Sequence, residues 1–316
     1  MNDTVGFIGL GAMGYEMAVN VRKKMARTSL LLINDVNREA CDRFIQELNS
    51  FGPIKFLSSA REVAEEAGSI LSIVPAADHV KKVYIDPVTG VIAARKNAAR
   101  LMLECSTIDV EATKDVGQQL KKAGAGNYID TPVSGGVPGA TAGTLAFLIG
   151  TAKNDTDVEQ ETRMENLLRM MGSPKKFFYC GQLGAGLAAK ICNNYLSGVI
   201  LLASAEAMNI GIRQGIDRKL LYQVVHNSTG QSWMFDNVNP APGTVDHAPS
   251  SRDYQGGFKA QMMVKDMTLG VDAGAATGVR TSTGSAALAL YKEAVTDARC
   301  IDRDVSVVYR FLDGPE

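Results

Sequence analysis

Lys190 and Asn194 stand four residues apart in a run, Leu187 to Ala207, that is otherwise almost wholly apolar or small. On a helix that spacing projects both side chains from one face. An ammonium is seldom taken out of water without a partner, so the pair marks a polar pocket in a buried helix. A lysine there can take the proton of a substrate hydroxyl, or return one to a developing alkoxide. Burial lowers a lysine's pKa, which suits such a role near neutrality. The competing account has Lys190 snorkelling to the surface while Asn194 bonds a neighbouring carbonyl.

A second constellation lies near the amino terminus. Gly9-Leu10-Gly11-Ala12-Met13-Gly14 has the spacing G-x-G-x-x-G and follows the apolar run Thr4 to Ile8. The first glycine allows a tight turn, the second lets the backbone approach a pyrophosphate, and the third lets the following helix pack on the strand. The helix N-terminus attracts the phosphate charge. Asp35 ends the next apolar run, Leu30 to Ile33, about 20 residues beyond the glycines, where a carboxylate meets an adenine ribose 2′-OH. That carboxylate would repel a 2′-phosphate, so NAD is expected rather than NADP. Asp35 could instead cap a helix starting near Asn37.

Stepping along the chain, β and α patterns alternate. Strands are expected at Ser69–Val74, Leu101–Cys105, Asn127–Asp130 and Thr144–Ile149, with helical patterns between the first of them. Such alternation gives a mostly parallel sheet with helices on both faces. Ligands then sit at the carboxyl ends of the strands, which makes Val74, Pro75 and Thr107 candidates to line a nicotinamide. Ser134-Gly135-Gly136 offers successive backbone N–H groups that can hold a carboxylate; a plain flexible turn is the alternative. The long helix carrying Lys190 should open at the glycine-rich turn Gly181–Gly186 and run to about Gly211. Its longest unbroken apolar stretch is short of the roughly 20 residues a bilayer requires.

Beyond it, a capped helix is expected from Asp217 to Val225, then a long loop from Asn237 to Gly257. Helices follow at Phe258–Gly274, Ser282–Ala298 and Ser306–Leu312. Trp233 and Phe235 flank the loop and could wall off the site, with core packing the simpler expectation for both. The fold class is therefore an α/β Rossmann-type N-terminal domain, residues 1–180, joined by a long helix to an all-α C-terminal domain, residues 181–316.

Composition narrows the class. The 316 residues are 46% hydrophobic and 21% charged, with a net charge of -1. That balance gives no basis for a nucleic-acid or membrane-surface partner. Five scattered cysteines without C-x-x-C argue against a disulfide framework and fit a reducing compartment. Three isolated histidines make a zinc site unexpected. No presequence is expected before the first strand, so an imported protein would be in its mature form. The charged stretch Thr151 to Glu165 looks like a surface elaboration.

Four segments, in order, resemble the β-hydroxyacid dehydrogenase family: Gly6–Gly14; Asp130-Thr131-Pro132-Val133-Ser134-Gly135-Gly136; Gly184-Ala185-Gly186 with Lys190 and Asn193-Asn194; and Lys265-Asp266. Further stretches, such as Asn239-Pro240-Ala241-Pro242-Gly243 and Tyr254–Phe258, are similar to the branch that oxidises a methyl-branched hydroxy acid in valine catabolism. The resemblance implies Lys190 as catalytic lysine, Ser134, Gly135, Gly136 and Asn194 as the substrate anchor, and Lys265 near nicotinamide and substrate. Lys265 could otherwise be a surface ion-pair partner of Asp266. The resemblance also implies a small β-hydroxy acid substrate, a homodimer or homotetramer, and a mitochondrial matrix location in a eukaryote or a cytoplasmic one otherwise. His79 stands where relatives carry a cofactor-touching asparagine, so it is not assigned. A relative acting on tartronate semialdehyde and a non-catalytic dinucleotide-binding module both remain compatible with the sequence.

Overall fold

The computed structural model describes residues 4–153 and 157–316. By packing it divides into two units, one ending at Lys190 and the other beginning at Ile191.

The first unit is built on β1 (Val5–Ile8), α1 (Ala12–Lys24), β2 (Leu31–Asn34), α2 (Arg38–Leu48), β3 (Ile54–Phe56), α3 (Ala60–Glu66), β4 (Ser69–Ser72), α4 (Ala77–Ile85), β5 (Leu101–Glu104), α5 (Val110–Ala123) and β6 (Asn127–Asp130). The six strands are parallel in the order β3-β2-β1-β4-β5-β6. Both faces are covered, so the strands read as apolar runs rather than alternating ones. Phe7, Ile33, Leu71 and Leu103 lie in one core with Met17, Val21 and Phe44. Ile8, Leu32, Ile70 and Met102 lie in the other with Val63, Val80, Tyr84 and Val116. The chain reverses direction across the sheet between β1 and β4, the crevice where dinucleotides bind in this strand order.

The strand expected at Thr144–Ile149 leaves the main sheet. It is β8 (Leu145–Ile149), central in a separate sheet with β7 (Val133–Ser134), antiparallel, and β9 (Gly172–Tyr179), parallel. Between them lie α6 (Gly136–Ala142) and α7 (Val158–Met171). Its burial pattern explains the change: β8 alternates, with Leu145, Phe147 and Ile149 inward, as a strand covered on one face does. Of the charged stretch, residues 154–156 lie outside the described residues. From Val158 it is no mere surface elaboration. It is an amphipathic helix capped by Asp157 that buries Met164, Leu167, Leu168 and Met171 in the same core as α1.

The long helix α8 runs 29 residues, Ala185–Arg213. By length and composition alone such a helix would suffice to cross a bilayer; here Leu201, Leu202, Ala205 and Met208 belong to the core of the second unit. That unit continues with α9 (Arg218–His226), α10 (Trp233–Asn237), α11 (Ala260–Ala276), α12 (Ser282–Ala294) and α13 (Val308–Phe311). Tyr195 packs against Gly270 and Gly284, where a Cβ would meet its ring at 2.7 and 2.0 Å. The Asn237–Gly257 loop is ordered by its own bonds: Ser250 Oγ donates to the Asn239 carbonyl and Tyr254 Oη to that of Pro240. Phe235 joins the core, but Trp233 is 67% exposed. Core packing therefore fails for the tryptophan, because the Ser232-capped turn that buries Phe235 turns Trp233 outward.

Candidate active site

The glycine loop closes as its spacing requires. Gly9 holds φ +97, and a Cβ on Gly14 would lie 2.0 Å from the Gly9 carbonyl oxygen, so turn and helix touch directly. Over Gly11 a Cβ would meet nothing within 4 Å. Gly11 and Ala12 are exposed, and no side chain caps the start of α1. The loop thus leaves open space over backbone N–H groups at a helix N-terminus, which fits a pyrophosphate. Leu10 and Gly14 are buried beneath, with Met13 half-buried.

Asp35 is fastened to this loop. Its Oδ2 accepts the Leu10 N–H at 2.5 Å and its Oδ1 the Asn37 N–H at 2.7 Å. The cap of α2 is Asn37, whose side chain accepts from the Ala40 N–H, so capping does not account for Asp35. A carboxylate has about four acceptor positions. Two remain open at the carboxyl end of β2.

Next to the switch point the turns after β4 and β5 meet. Val74 and Thr107 are half-buried and Pro75 exposed. The Val74 N–H donates to Ser106 Oγ at 2.7 Å, and the Ser106 N–H donates to Glu104 Oε1 at 2.9 Å. Glu104 is fully buried, and burial pushes its carboxyl up to about 7 against the lowering effect of the Ser106 bonds. His79 is exposed on α4.

Ser134 is half-buried at the end of β7, and Gly135 and Gly136 are exposed. Both glycines have positive φ, +139 and +61, and the backbone then coils directly into α6 rather than forming a loose turn.

The start of α8 is set by Asp130 at the end of β6. Its Oδ1 accepts the Gly184 N–H at 2.7 Å and its Oδ2 the Leu187 N–H at 2.8 Å. This approach depends on Gly150 and Gly186, where a Cβ would lie 1.8 and 2.9 Å from the carboxylate oxygens. Burial raises the Asp130 carboxyl despite these bonds. Lys190, one turn on, is buried, at 8% exposed. In the second unit, Asn194 Nδ2 donates to Asp266 Oδ2 at 2.6 Å, and Asn194 Oδ1 accepts from Asn193 Nδ2 at 3.2 Å. Asp266 is 3% exposed, and Lys265 Nζ lies 3.3 Å from its Oδ1. The ion pair foreseen for Lys265 exists, but its carboxylate is buried rather than at the surface.

Within the first unit the structure gathers Gly9–Gly14, Asp35, Val74, Pro75 and Thr107 along the carboxyl edge of one sheet. Lys190 follows the helix start that Asp130 holds. Asn194 and Lys265 share Asp266 in the second unit. Sequence reasoning passed over Glu104 and Ser106. The available signal was a lone acid in the apolar run Leu101-Met102-Leu103-Glu104-Cys105.

Two family models match the chain. Residues 4–181 match the NAD binding domain of 6-phosphogluconate dehydrogenase, and residues 184–312 match the NAD-binding of NADP-dependent 3-hydroxyisobutyrate dehydrogenase. The mitochondrial 3-hydroxyisobutyrate dehydrogenase of Homo sapiens is 38% identical over 99% of this chain and 87% of its own. The NAD-dependent L-serine dehydrogenase of Pseudomonas aeruginosa is 37% identical over 98% of this chain and 97% of its own. Among solved structures, the Mycobacterium tuberculosis 3-hydroxyisobutyrate dehydrogenase with L-serine superposes with TM-score 0.86 at 33% identity, covering 99% of each chain. The Salmonella typhimurium enzyme of the same name gives 0.77 at 26%, covering 98% of this chain and 99% of its own.

Proposed function

From a chain that belongs to the 3-hydroxyisobutyrate dehydrogenase family of NAD-dependent β-hydroxyacid dehydrogenases, we propose oxidation of 3-hydroxyisobutyrate to methylmalonate semialdehyde, a step of valine catabolism. NAD, when bound, supplies the hydride acceptor. The protein's residues do the rest. Gly9, Leu10, Gly11, Ala12, Met13 and Gly14 hold the pyrophosphate, Asp35 the adenine ribose, and Val74, Pro75 and Thr107 the nicotinamide side. Ser134, Gly135 and Gly136 hold the substrate carboxylate, with Asn194 and Lys265 orienting the substrate. Lys190 takes the hydroxyl proton as general base, and gives it back in the reverse direction. The observation that carries this reading is a buried lysine on a helix whose start is fixed by Asp130.

L-serine is the second reading, favoured by a relative named for that activity and by a similar structure that holds it. Serine and 3-hydroxyisobutyrate share the carboxylate and the hydroxymethyl group and differ at the middle carbon, where one carries an ammonium and the other a methyl. The same lysine and carboxylate anchor serve both. Initial rates of NADH formation with S-3-hydroxyisobutyrate, L-serine and other β-hydroxy acids, and with NADP in place of NAD, separate the readings. A higher kcat/KM for 3-hydroxyisobutyrate supports the first. A higher one for serine transfers the chemistry to the second, and turnover of neither removes both.

We further propose a homodimer or homotetramer. Although α8 is apolar on nearly every side, only 39% of its most apolar window is buried, and Leu196 and Ile210 are 56% and 63% exposed. With the exposed Ala203 and Ala207 they recur at spacings of seven, four and three residues on one face of α8, and an apolar face of that kind is commonly covered by a partner. Eukaryotic relatives carry mitochondrial names and a bacterial one does not, so the matrix is proposed for a eukaryotic source and the cytoplasm for a bacterial one.

A further inference from the structure

Ser72, Glu104 and Asp130 are register partners across β4, β5 and β6 and form a polar row at the carboxyl edge of the sheet. Glu104 is 0% exposed at its centre. Its Oε1 accepts the Ser106 N–H and, at 3.4 Å, the Ser72 hydroxyl. Ser72 Oγ is 2.7 Å from the Tyr84 hydroxyl of α4, and the Tyr84 ring meets that of Tyr128 edge-on at 4.9 Å. Ser106 in turn accepts the Val74 N–H. The groups facing Glu104 are thus Tyr84 from α4, Tyr128 and Asp130 from β6, and Cys105, the residue after its own strand.

A buried carboxyl costs free energy that an apolar side chain of similar volume would not. Nothing in the proton transfer assigned above uses it. What it does achieve is geometric. It fixes Ser106 after β5, and through Ser106 it fixes Val74 after β4. Thr107 and Pro75 are the next residues in each turn.

We propose that Glu104 is a positioning residue for the cofactor: by holding Ser106 against Val74 it sets the spacing of the two turns that grip the nicotinamide. The proposal rests on the assignment of Pro75 and Thr107 to the nicotinamide side. A positioning role predicts a loss confined to that half of the cofactor. A purely structural role predicts equal loss for the whole dinucleotide.

Calorimetric titration with NADH and with ADP-ribose, which lacks the nicotinamide ring, distinguishes these. Ser106→Ala and Glu104→Leu should weaken NADH by about tenfold, the usual effect of orphaning a buried donor, and change ADP-ribose by less than about twofold. Glu104→Gln keeps an oxygen for the Ser106 N–H and should restore most of the NADH affinity. In the cofactor-free protein, amide exchange at Val74 should quicken in Ser106→Ala by about tenfold. Equal weakening of both ligands, or no weakening of either, overturns the proposal while leaving the nicotinamide assignment in place. Wild-type protein that binds NADH no more tightly than ADP-ribose removes that assignment, and the proposal falls with it.

Discussion

The Asp130 carboxylate accepts the Leu187 N–H at 2.8 Å and thereby joins the last residue of β6 to the first turn of the helix that carries Lys190. The same side chain also takes the Gly184 N–H. One buried acid therefore satisfies two of the donors that a helix start leaves unpaired, and it favours that end of the helix dipole.

Asp130→Ala should leave both donors unpaired in a dry site. A stability loss of about 2–4 kcal/mol is expected. The lysine's placement should suffer as well, so kcat should fall by about tenfold or more with KM for NAD little changed. Urea denaturation and initial rates check the two halves. A variant with unaltered kcat would mean that Lys190 does not depend on this anchor.

Asp35 has its own consequence. It is tied to Leu10 and Asn37, with acceptor positions left over. Asp35→Ser should lower kcat/KM for NAD by about tenfold through loss of a charge-assisted bond to the ribose. It should raise relative use of NADP, since the repulsion of a 2′-phosphate disappears. An unchanged NAD to NADP ratio would remove Asp35 from the ribose site.

Much of this was legible because the signals are local. The glycine spacing, the acid after the second strand and the apolar runs each act over a few residues, and β1, β2, β4, β5 and β6 follow from them; the short edge strand β3 (Ile54–Phe56) carried no such run and was missed. Lys190 was legible as a charge out of place in an apolar helix. The separate fate of β8 was not, because strand partnership is decided by residues far apart: Phe147 pairs with Val133 and Phe177. Glu104 was hidden for the same reason. A single acid in a strand acquires meaning only when Ser72, Val74 and Asp130 arrive from other segments. The outward Trp233 reflects helix phase near a cap, which periodicity does not fix over five residues.

In the second unit, Asp266 takes the Asn194 amide at 2.6 Å and lies beside Lys265. Asp266→Leu should free the amide to rotate and remove the counter-charge from Lys265. Loss of a hydrogen bond to a charged group is worth about 1.5–3 kcal/mol, so KM for the hydroxy acid should rise by about tenfold or more. NADH affinity should change less. Steady-state kinetics with the acid varied at saturating NAD measures this, and an unchanged KM would separate Asn194 from substrate orientation.

The last prediction follows from the buried carboxyl of Glu104, raised from the ordinary 4.5 to about 7, chiefly by burial. Between those values the folded protein holds a proton that the unfolded chain has released. Stability is therefore fully present below about pH 4.5 and is lost as pH rises to about 7, levelling off above it. A shift of this size corresponds to about 3 kcal/mol. Glu104→Gln cannot ionise, and its amide adds only a pH-independent cost at the oxygen that lacks a protein partner. Melting temperature followed from pH 5 to pH 8 should fall less steeply in the variant, by about 5–10 °C over the range. Parallel curves would show that Glu104 does not change its charge in this window.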